Sequence, residues 1–408
     1  GRGSTAYCPS CNFLRPLKIS PMWYVSQIGR REHYALPAHL HRMGQLGLLA
    51  TDIWAPWAAS PRSLVRSEKL AQRFEASMGD APVASRSFIA NLFERFRGGD
   101  LTRRWASEGA RFGKFAAKSF DKAGLGPGHS VIGYTAANLE QLLMAKSKGA
   151  KALHVQVDPG VSWYEMRRRE QLAHPEAEEL APMPSSEFIE RISREWQQAD
   201  KVIVHSEHSR AALLAQGVDA NRCVVIPPAF KSSAAPIARR LDSSRPFRVL
   251  FVGNHCLAKG CHIFVDAARK AGKGFEFISV GNQTLKGGYL EEASSHVTIL
   301  GPKSQSGVRE QMERADVLVF PTLSDGFGLV QLEAMAAGLP VIATACCGEV
   351  VRHGLDGLIV PPRDSSAIVA ALEEVRADPD KYERLSLAAS IRPKDFNPES
   401  HFNALLSL

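Results

Sequence analysis

Two carboxylates, Asp325 and Glu333, bracket a short apolar segment in SDGFGLVQLEAMAAGLPVI, residues 324–342. Gly326, Gly328 and Gly338 punctuate it. The preceding ADVLVFP reads as a buried strand that leaves into this loop at its carboxyl edge, where α/β sheets bind ligands. Gly326 and Gly328 let the backbone take unusual conformations and leave room for a ligand to approach. A helix is expected from about Leu329 to Ala337, stopped by Gly338, with Pro340 forbidding continuation. Its first turn would offer N–H groups and positive dipole to a phosphate. Asp325 lies just before that helix, and Glu333 one turn inside it, where a carboxylate can accept hydrogen bonds from vicinal hydroxyls such as those of a ribose. The plainer alternative is that Asp325 caps the helix and Glu333 pairs with a nearby base.

A second constellation lies upstream, in FVGNHCLAKG, residues 251–260. A strand ends at Gly253, and after a short loop Lys259 stands before Gly260 at another helix start. A lysine at a strand-to-helix turn, on the same sheet edge, is a diphosphate partner able to neutralise charge on a leaving group. The ordinary alternative is a solvated surface lysine.

The elements that must position these residues form a strand–helix alternation, repeated twice. Strands are expected at 22–29, 48–54, 130–134, 152–157, 201–206 and 223–228, and again at 247–253, 275–281, 297–301, 315–322, 340–343 and 357–362. Continuous apolar strands separated by helices such as 138–149 and 187–199 predict parallel sheets covered on both faces. The expected organisation is a leader over 1–20, a Rossmann-like domain over 21–229 and a Ser-, Pro- and Arg-rich linker over 230–246. A second Rossmann-like domain over 247–390 and a C-terminal segment over 391–408, free to return to the first domain, complete it.

The 408-residue length favours two domains, and 45% hydrophobic with 23% charged residues is a globular composition. No apolar run approaches the ~18 residues of a membrane span. Seven scattered cysteines give no disulfide framework and suit a reducing cytoplasm. Cys8 and Cys11 form a C-x-x-C with no second pair at zinc-site spacing, and no acidic metal cluster is apparent, so no metal is expected. The net charge of +8 is uneven: residues 62–122 carry thirteen Lys/Arg against seven Asp/Glu, interleaved with Phe88, Phe93, Phe96, Trp105, Phe112, Phe115 and Phe120. That block is open to two readings, peripheral contact with an anionic membrane or an amphipathic region with aromatics packed inward; the second is favoured. Residues 165–200 reverse the balance, nine acids against five bases, which argues against a nucleic-acid binder.

At these motifs the sequence resembles glycosyltransferase family four, retaining enzymes of the two-domain GT-B fold. DGFGLVQLE resembles the family's Glu-x7-Glu signature, and AMAAGLPVIATACCGEVVRHGLDGLIVPPRD (334–364) its downstream pattern, with Glu349 and Gly357 in expected places. Gly253 to Gly260 resembles the strand–glycine–Lys-Gly element, and residues 195–230 the last strand–helix–strand of the first domain. Over 1–190 the likeness is architectural. The resemblance implies an α/β, GT-B architecture: two doubly wound, Rossmann-like parallel-sheet domains facing across a cleft. It implies that Lys259 holds the donor diphosphate, Glu333 the ribose hydroxyls and Asp325 the transferred sugar. It further implies that the backbone amides of Gly328 and Leu329 meet the phosphate, and that Gly326, Phe327, Gly253 and Asn254 belong to the donor site. Gly301 and Pro302 would border the base, and Gly29 would lie near the donor.

The departures are that Asp325 is one methylene shorter than the family's Glu, and that Asn254 replaces a base. Gly29 stands alone where a glycine pair is usual. No first-domain histidine falls in the family's place: His154 would lie inside a strand, as a core residue, and Asp158 is the group offered beyond that strand. The resulting expectation is retaining transfer from a nucleotide-diphosphate-sugar co-substrate, with no further cofactor, to a glycan, lipid-linked sugar or small-molecule hydroxyl. The location would be cytoplasmic, with a peripheral place at the membrane left open. The alternatives are a GT-B relative with epimerase or phosphorylase chemistry, or a non-catalytic sugar-nucleotide-binding protein. A redox Rossmann enzyme is disfavoured, because neither half shows G-x-G-x-x-G after its first strand.

Overall fold

A computed structural model describes residues 21–58, 67–86, 101–232 and 235–408. The expected leader, with Cys8 and Cys11, lies outside the described residues, as do Phe88, Phe93 and Phe96 of the basic block.

The first domain holds seven strands: β1 (Trp23–Gln27), β2 (Leu46–Thr51), β3 (Val83–Ser85), β4 (Ser130–Tyr134), β5 (Lys151–Val155), β6 (Lys201–Val204) and β7 (Cys223–Val225). They run in the order β3-β2-β1-β4-β5-β6-β7, with every pairing parallel. The second domain has β8 (Phe247–Val252), β9 (Phe275–Val280), β10 (Val297–Ile299), β11 (Val317–Phe320), β12 (Val341–Ala343) and β13 (Gly357–Ile359). Their order is β10-β9-β8-β11-β12-β13, again all parallel. Strands such as VLVF of β11 are buried along their whole length because helices cover both faces of each sheet. Each sheet accordingly separates two apolar clusters, one per face.

Chain order reverses between β1 and β4 in the first sheet and between β8 and β11 in the second. At such a switch point the two following loops splay apart and open a crevice at the carboxyl ends of the strands.

The helix Leu101–Lys122 settles part of the basic aromatic block. It buries Ala106, Phe112, Ala116, Ala117 and Phe120, so along this stretch the aromatics chiefly pack inward and the charges face out, as an amphipathic surface helix should. Among the described residues no helix is long and apolar enough to cross a membrane.

Among the described residues three tethers join the domains. Residues 237–239 lie along the helix Pro379–Ile391, where the amides of Ile237 and Arg239 donate to Ser390 Oγ (3.0 Å) and Ser386 Oγ (2.8 Å). The helix Pro398–Leu406 crosses back to the first domain: Phe402 and Leu405 are buried with Trp23, Val25, Tyr34 and Leu40. The segment after the helix Val161–Ala173 reaches the other way. Ala177 is buried within the second domain's core, and its carbonyl accepts from Lys286 N at 2.8 Å.

Candidate active site

The β8/β11 switch point brings the two sequence motifs together. Gly260 adopts a left-handed φ of +71°, and a Cβ there would stand 2.0 Å from the carbonyl oxygen of Pro321 at the end of β11. Only glycine lets the Lys-Gly turn dock so closely on the neighbouring strand. Leu323 N donates to the Ala258 carbonyl at 3.0 Å and fastens the two loops. The result is that Lys259 Nζ pairs with a carboxylate oxygen of Asp325, 6.0 Å from the ring centre of Phe320.

The alternative reading, in which Asp325 caps the helix, is weakly supported. Its carboxylate lies 3.5 Å from the Phe327 amide, while the Lys259 contact is a direct ion pair. The helix spans Val330–Ala336, with Glu333 exposed in its first turn, and no base pairs with Glu333 among the described residues. The second alternative, a Glu333 ion pair, therefore does not describe this structure.

The glycines have separate jobs. Gly328 holds φ +83° under the ring of Phe320, where a Cβ would stand 2.7 Å from the ring edge. Gly253, Gly281 and Gly301 follow β8, β9 and β10, three adjacent strands, and Gly281 N donates to the Gly301 carbonyl at 3.0 Å. A Cβ on Gly281 would meet the Gly253 carbonyl oxygen at 1.7 Å, so this edge of the sheet is bare backbone. Pro302 follows it. Gly281 ends an expected strand, yet only the register shows it completing this glycine edge. The Phe327 ring is buried, edge-on to Phe396 at 5.6 Å, so only its main chain is offered to a ligand. Leu329 is partly exposed beside it. Asn254 receives a hydrogen bond from Asn282 at 3.2 Å and brings no charge.

The first domain closes on this loop. A Cβ on Gly326 would stand 1.9 Å from the carbonyl oxygen of Val157, which places the acid loop directly against Val157 and Asp158. Ser206 Oγ donates to the Gly326 carbonyl at 2.8 Å while also capping its own helix, Glu207–Ala215. His208 Nε2 lies 3.1 Å from Ser324 Oγ. Burial holds the His208 imidazole below its ordinary range, against the opposing charges of Glu349 and Asp325. The Glu207 amide donates to Glu349 at 3.1 Å. Neither Ser206 nor His208 is marked by the sequence, although both lie in the HSEHS run at a strand-to-helix turn.

Asp158 is half-buried and accepts from Gly160 N (2.9 Å) and Gln156 Nε2 (2.7 Å). Burial raises its carboxyl above the usual carboxylate range, with the Asp325 charge adding to that and the Arg31 charge opposing it. His154 is fully buried in β5 with Nε2 3.3 Å from Gln156 Oε1, the core residue that its place in a strand implies. Gly29 holds φ +85° after β1, and its amide donates to Asp52 at 2.9 Å. Two residues on, the exposed Arg31 guanidinium sits 5.8 Å over the Tyr134 ring, at the β1/β4 switch point.

Residues 246–378 match the family model for Glycosyl transferases group 1. A glycogen synthase of Mycobacterium tuberculosis is 30% identical over 178 residues, 41% of this chain and 43% of that protein. A D-inositol 3-phosphate glycosyltransferase of Nocardia farcinica is 29% identical over 249 residues, 54% of each. The chain thus spans about half the length, or less, of these curated relatives. Anabaena Alr3699/HepE in complex with UDP superposes with a TM-score of 0.61 at 16% identity, covering 95% of this chain and 100% of that one. Sucrose-phosphate synthase of Thermosynechococcus elongatus gives 0.61 at 20%, covering 95% and 98%. At such identities the likeness establishes the fold, which is GT-B. The two facing Rossmann-like sheets give the GT-B fold, and residues 246–378 match the group 1 glycosyl transferases.

Proposed function

We propose that the protein transfers a sugar, with retention at the anomeric carbon, from a nucleoside-diphosphate sugar to an acceptor hydroxyl. The observation that carries this reading is the Lys259–Asp325 pair at the β8/β11 switch point, with Asp158 facing it from the other domain. When a donor enters, its diphosphate competes with Asp325 for the Lys259 ammonium and takes the main-chain amides of Gly328 and Leu329. Charge then develops on the departing phosphate where a cation and fixed dipoles already stand. Asp325, released from Lys259, turns to the sugar hydroxyls. Glu333, exposed and without a basic partner among the described residues, accepts from the ribose. The backbone edge at Gly253, Gly281, Gly301 and Pro302 admits a flat nucleobase.

Asn254 leaves the diphosphate short of one positive charge, and Arg31, exposed beside the first-domain crevice, supplies it. Asp158, whose carboxyl burial makes a better base, takes the proton of the acceptor hydroxyl. The acceptor, a glycan or lipid-linked glycan, lies on the first domain, across the cleft from the donor. Peripheral contact with an anionic membrane would bring a lipid-linked acceptor there.

The Anabaena neighbour was solved in complex with UDP, which makes uridine the first base to try. A thermal-shift screen with UDP-, GDP- and ADP-sugars tests the donor, because a ligand bound to the folded state raises the melting temperature by mass action. Proton NMR of the first-formed product tests retention. No shift with any nucleotide sugar, or an inverted product, refutes the reading. A second reading, a non-catalytic sugar-nucleotide-binding site, is favoured by Asn254, which brings no charge to the diphosphate, and by His154, a buried core residue of β5. Saturable binding with no transfer and no donor hydrolysis across an acceptor panel would establish it.

A further inference from the structure

A cluster outside the donor crevice is left unused by this reaction. Glu170, in the last turn of the helix Val161–Ala173, and His174, its C-cap residue, lie one turn apart, the His174 amide donating to the Glu170 carbonyl at 2.9 Å. His262 is the second residue of Cys261–Lys270, in the other domain. Each offers one ligand atom, and the three atoms lie within 4.8 Å of one another.

The details favour a ligand set over a plain ion-pair cluster. Glu170 Oε2 and His262 Nε2 stand 3.5 Å apart, long for a hydrogen bond between charged partners. Donor atoms about 2.0–2.1 Å from one tetrahedral cation stand roughly 3.3 Å from each other. Arg363 donates through Nε (2.8 Å) and Nη2 to the other oxygen, Oε1, so it orients the carboxylate and leaves Oε2 open. His262 is 6% exposed, and its Nδ1 has no hydrogen-bond partner among the described residues. A buried imidazole whose Nε2 stands 3.5 Å from the carboxylate it faces is loosely held for a buried polar group. The His174 and His262 rings are 4.7 Å apart, and His174 is half-buried, so an ion and its water have a way in.

We propose that Glu170, His174 and His262 bind a transition-metal dication of the zinc, cobalt or nickel type, with a water in the fourth position. Two imidazoles and one carboxylate suit these ions better than magnesium or calcium, which prefer all-oxygen shells. Because Glu170 and His174 come from one domain and His262 from the other, the ion fastens the two halves beside the Lys259 turn. Its role is to hold the domain arrangement, and it takes no part in bond making.

The test uses the full chain, stripped with a chelator and titrated with Co²⁺ while visible ligand-field absorption is followed. One saturable equivalent is expected, displaced by Zn²⁺. His174→Ala and His262→Asn should each weaken it at least tenfold, and Arg363→Ala by about tenfold through loss of carboxylate orientation. His174 is half-buried at a helix end, so His174→Ala should keep the metal-free melting temperature and circular dichroism of the parent. Overturning results are an absence of saturable cobalt binding, or binding undiminished in both histidine variants. An intense near-ultraviolet thiolate-to-cobalt band would equally overturn it, by placing the ion on cysteines.

Discussion

Lys259, on the loop after β8, and Asp325, on the loop after β11, are joined as an ion pair across the switch point of the second sheet. The two residues are 66 positions apart in the chain, yet the fold makes them direct partners. A diphosphate entering the crevice must break this pair, so the two partners have opposite effects on its binding. Lys259→Ala should lower kcat/KM for the nucleotide sugar about 100-fold or more with the melting temperature little changed. Asp325→Asn should also depress turnover, yet bind free nucleoside diphosphate at least as tightly as the parent, because a competing carboxylate is gone. Calorimetry of UDP binding to both variants decides this; equal weakening by both would contradict the competition.

Glu333 should act on affinity. Glu333→Ala removes acceptors for two hydroxyls and should raise the donor's KM roughly tenfold to a hundredfold, a loss of about 1.5–3 kcal/mol. Glu333→Gln, which keeps one acceptor, should fall between. A matched 2′,3′-dideoxyribose donor should erase the difference between parent and variants.

Two glycines allow domain stability to be separated from domain closure. Gly260→Ala forces a Cβ to within 2.0 Å of the Pro321 carbonyl inside one domain, at a left-handed φ. It should cost about 2–4 kcal/mol of second-domain stability. Gly326→Ala forces a Cβ to within 1.9 Å of the Val157 carbonyl in the other domain. There the relief is for the domains to part, so small-angle scattering should show a larger radius of gyration with both domains still folded.

The C-terminal helix should loosen in acid. His401 Nδ1 lies 2.7 Å from the Pro227 carbonyl, and burial holds its imidazole below the ordinary 6.5, with Glu32 opposing and His205 adding. His39, its ring tilted against Phe402 with centroids 4.2 Å apart, is lowered by burial as well, with Arg42 adding and Glu399 opposing. A histidine with a depressed folded value binds its proton more readily once released. The tether is therefore at full strength above 6.5 and weakens as pH falls below it. Hydrogen exchange of residues 398–408 should be faster at about pH 5.5 than at about pH 7.5. His401→Gln should reduce that difference, and an unchanged pH response in this variant would assign the effect elsewhere.

The strands, and the helix after Asp325, were legible in the chain because their signals are local. Unbroken apolar runs mark strands covered on two faces, and Gly338 before Pro340 marks a helix end. The same locality exposed the two charged motifs and placed each at the carboxyl end of a strand. What no local pattern contains is which loops meet. The Lys259–Asp325 pair exists because β8 and β11 are neighbours in the sheet. The clamp of Ser206 and His208 on the acid loop exists because two domains face each other. Phe327 turned inward because Phe396, far along the chain, packs beside it. The Glu170–His174–His262 cluster spans two domains and leaves only an i, i+4 pair in the sequence. Composition and periodicity thus determined the elements and their edges, since burial of apolar surface selects those residue by residue. Sheet order and domain contact decided the partners, since charge and hydrogen bonding act only between groups that the fold has already brought within a few ångströms.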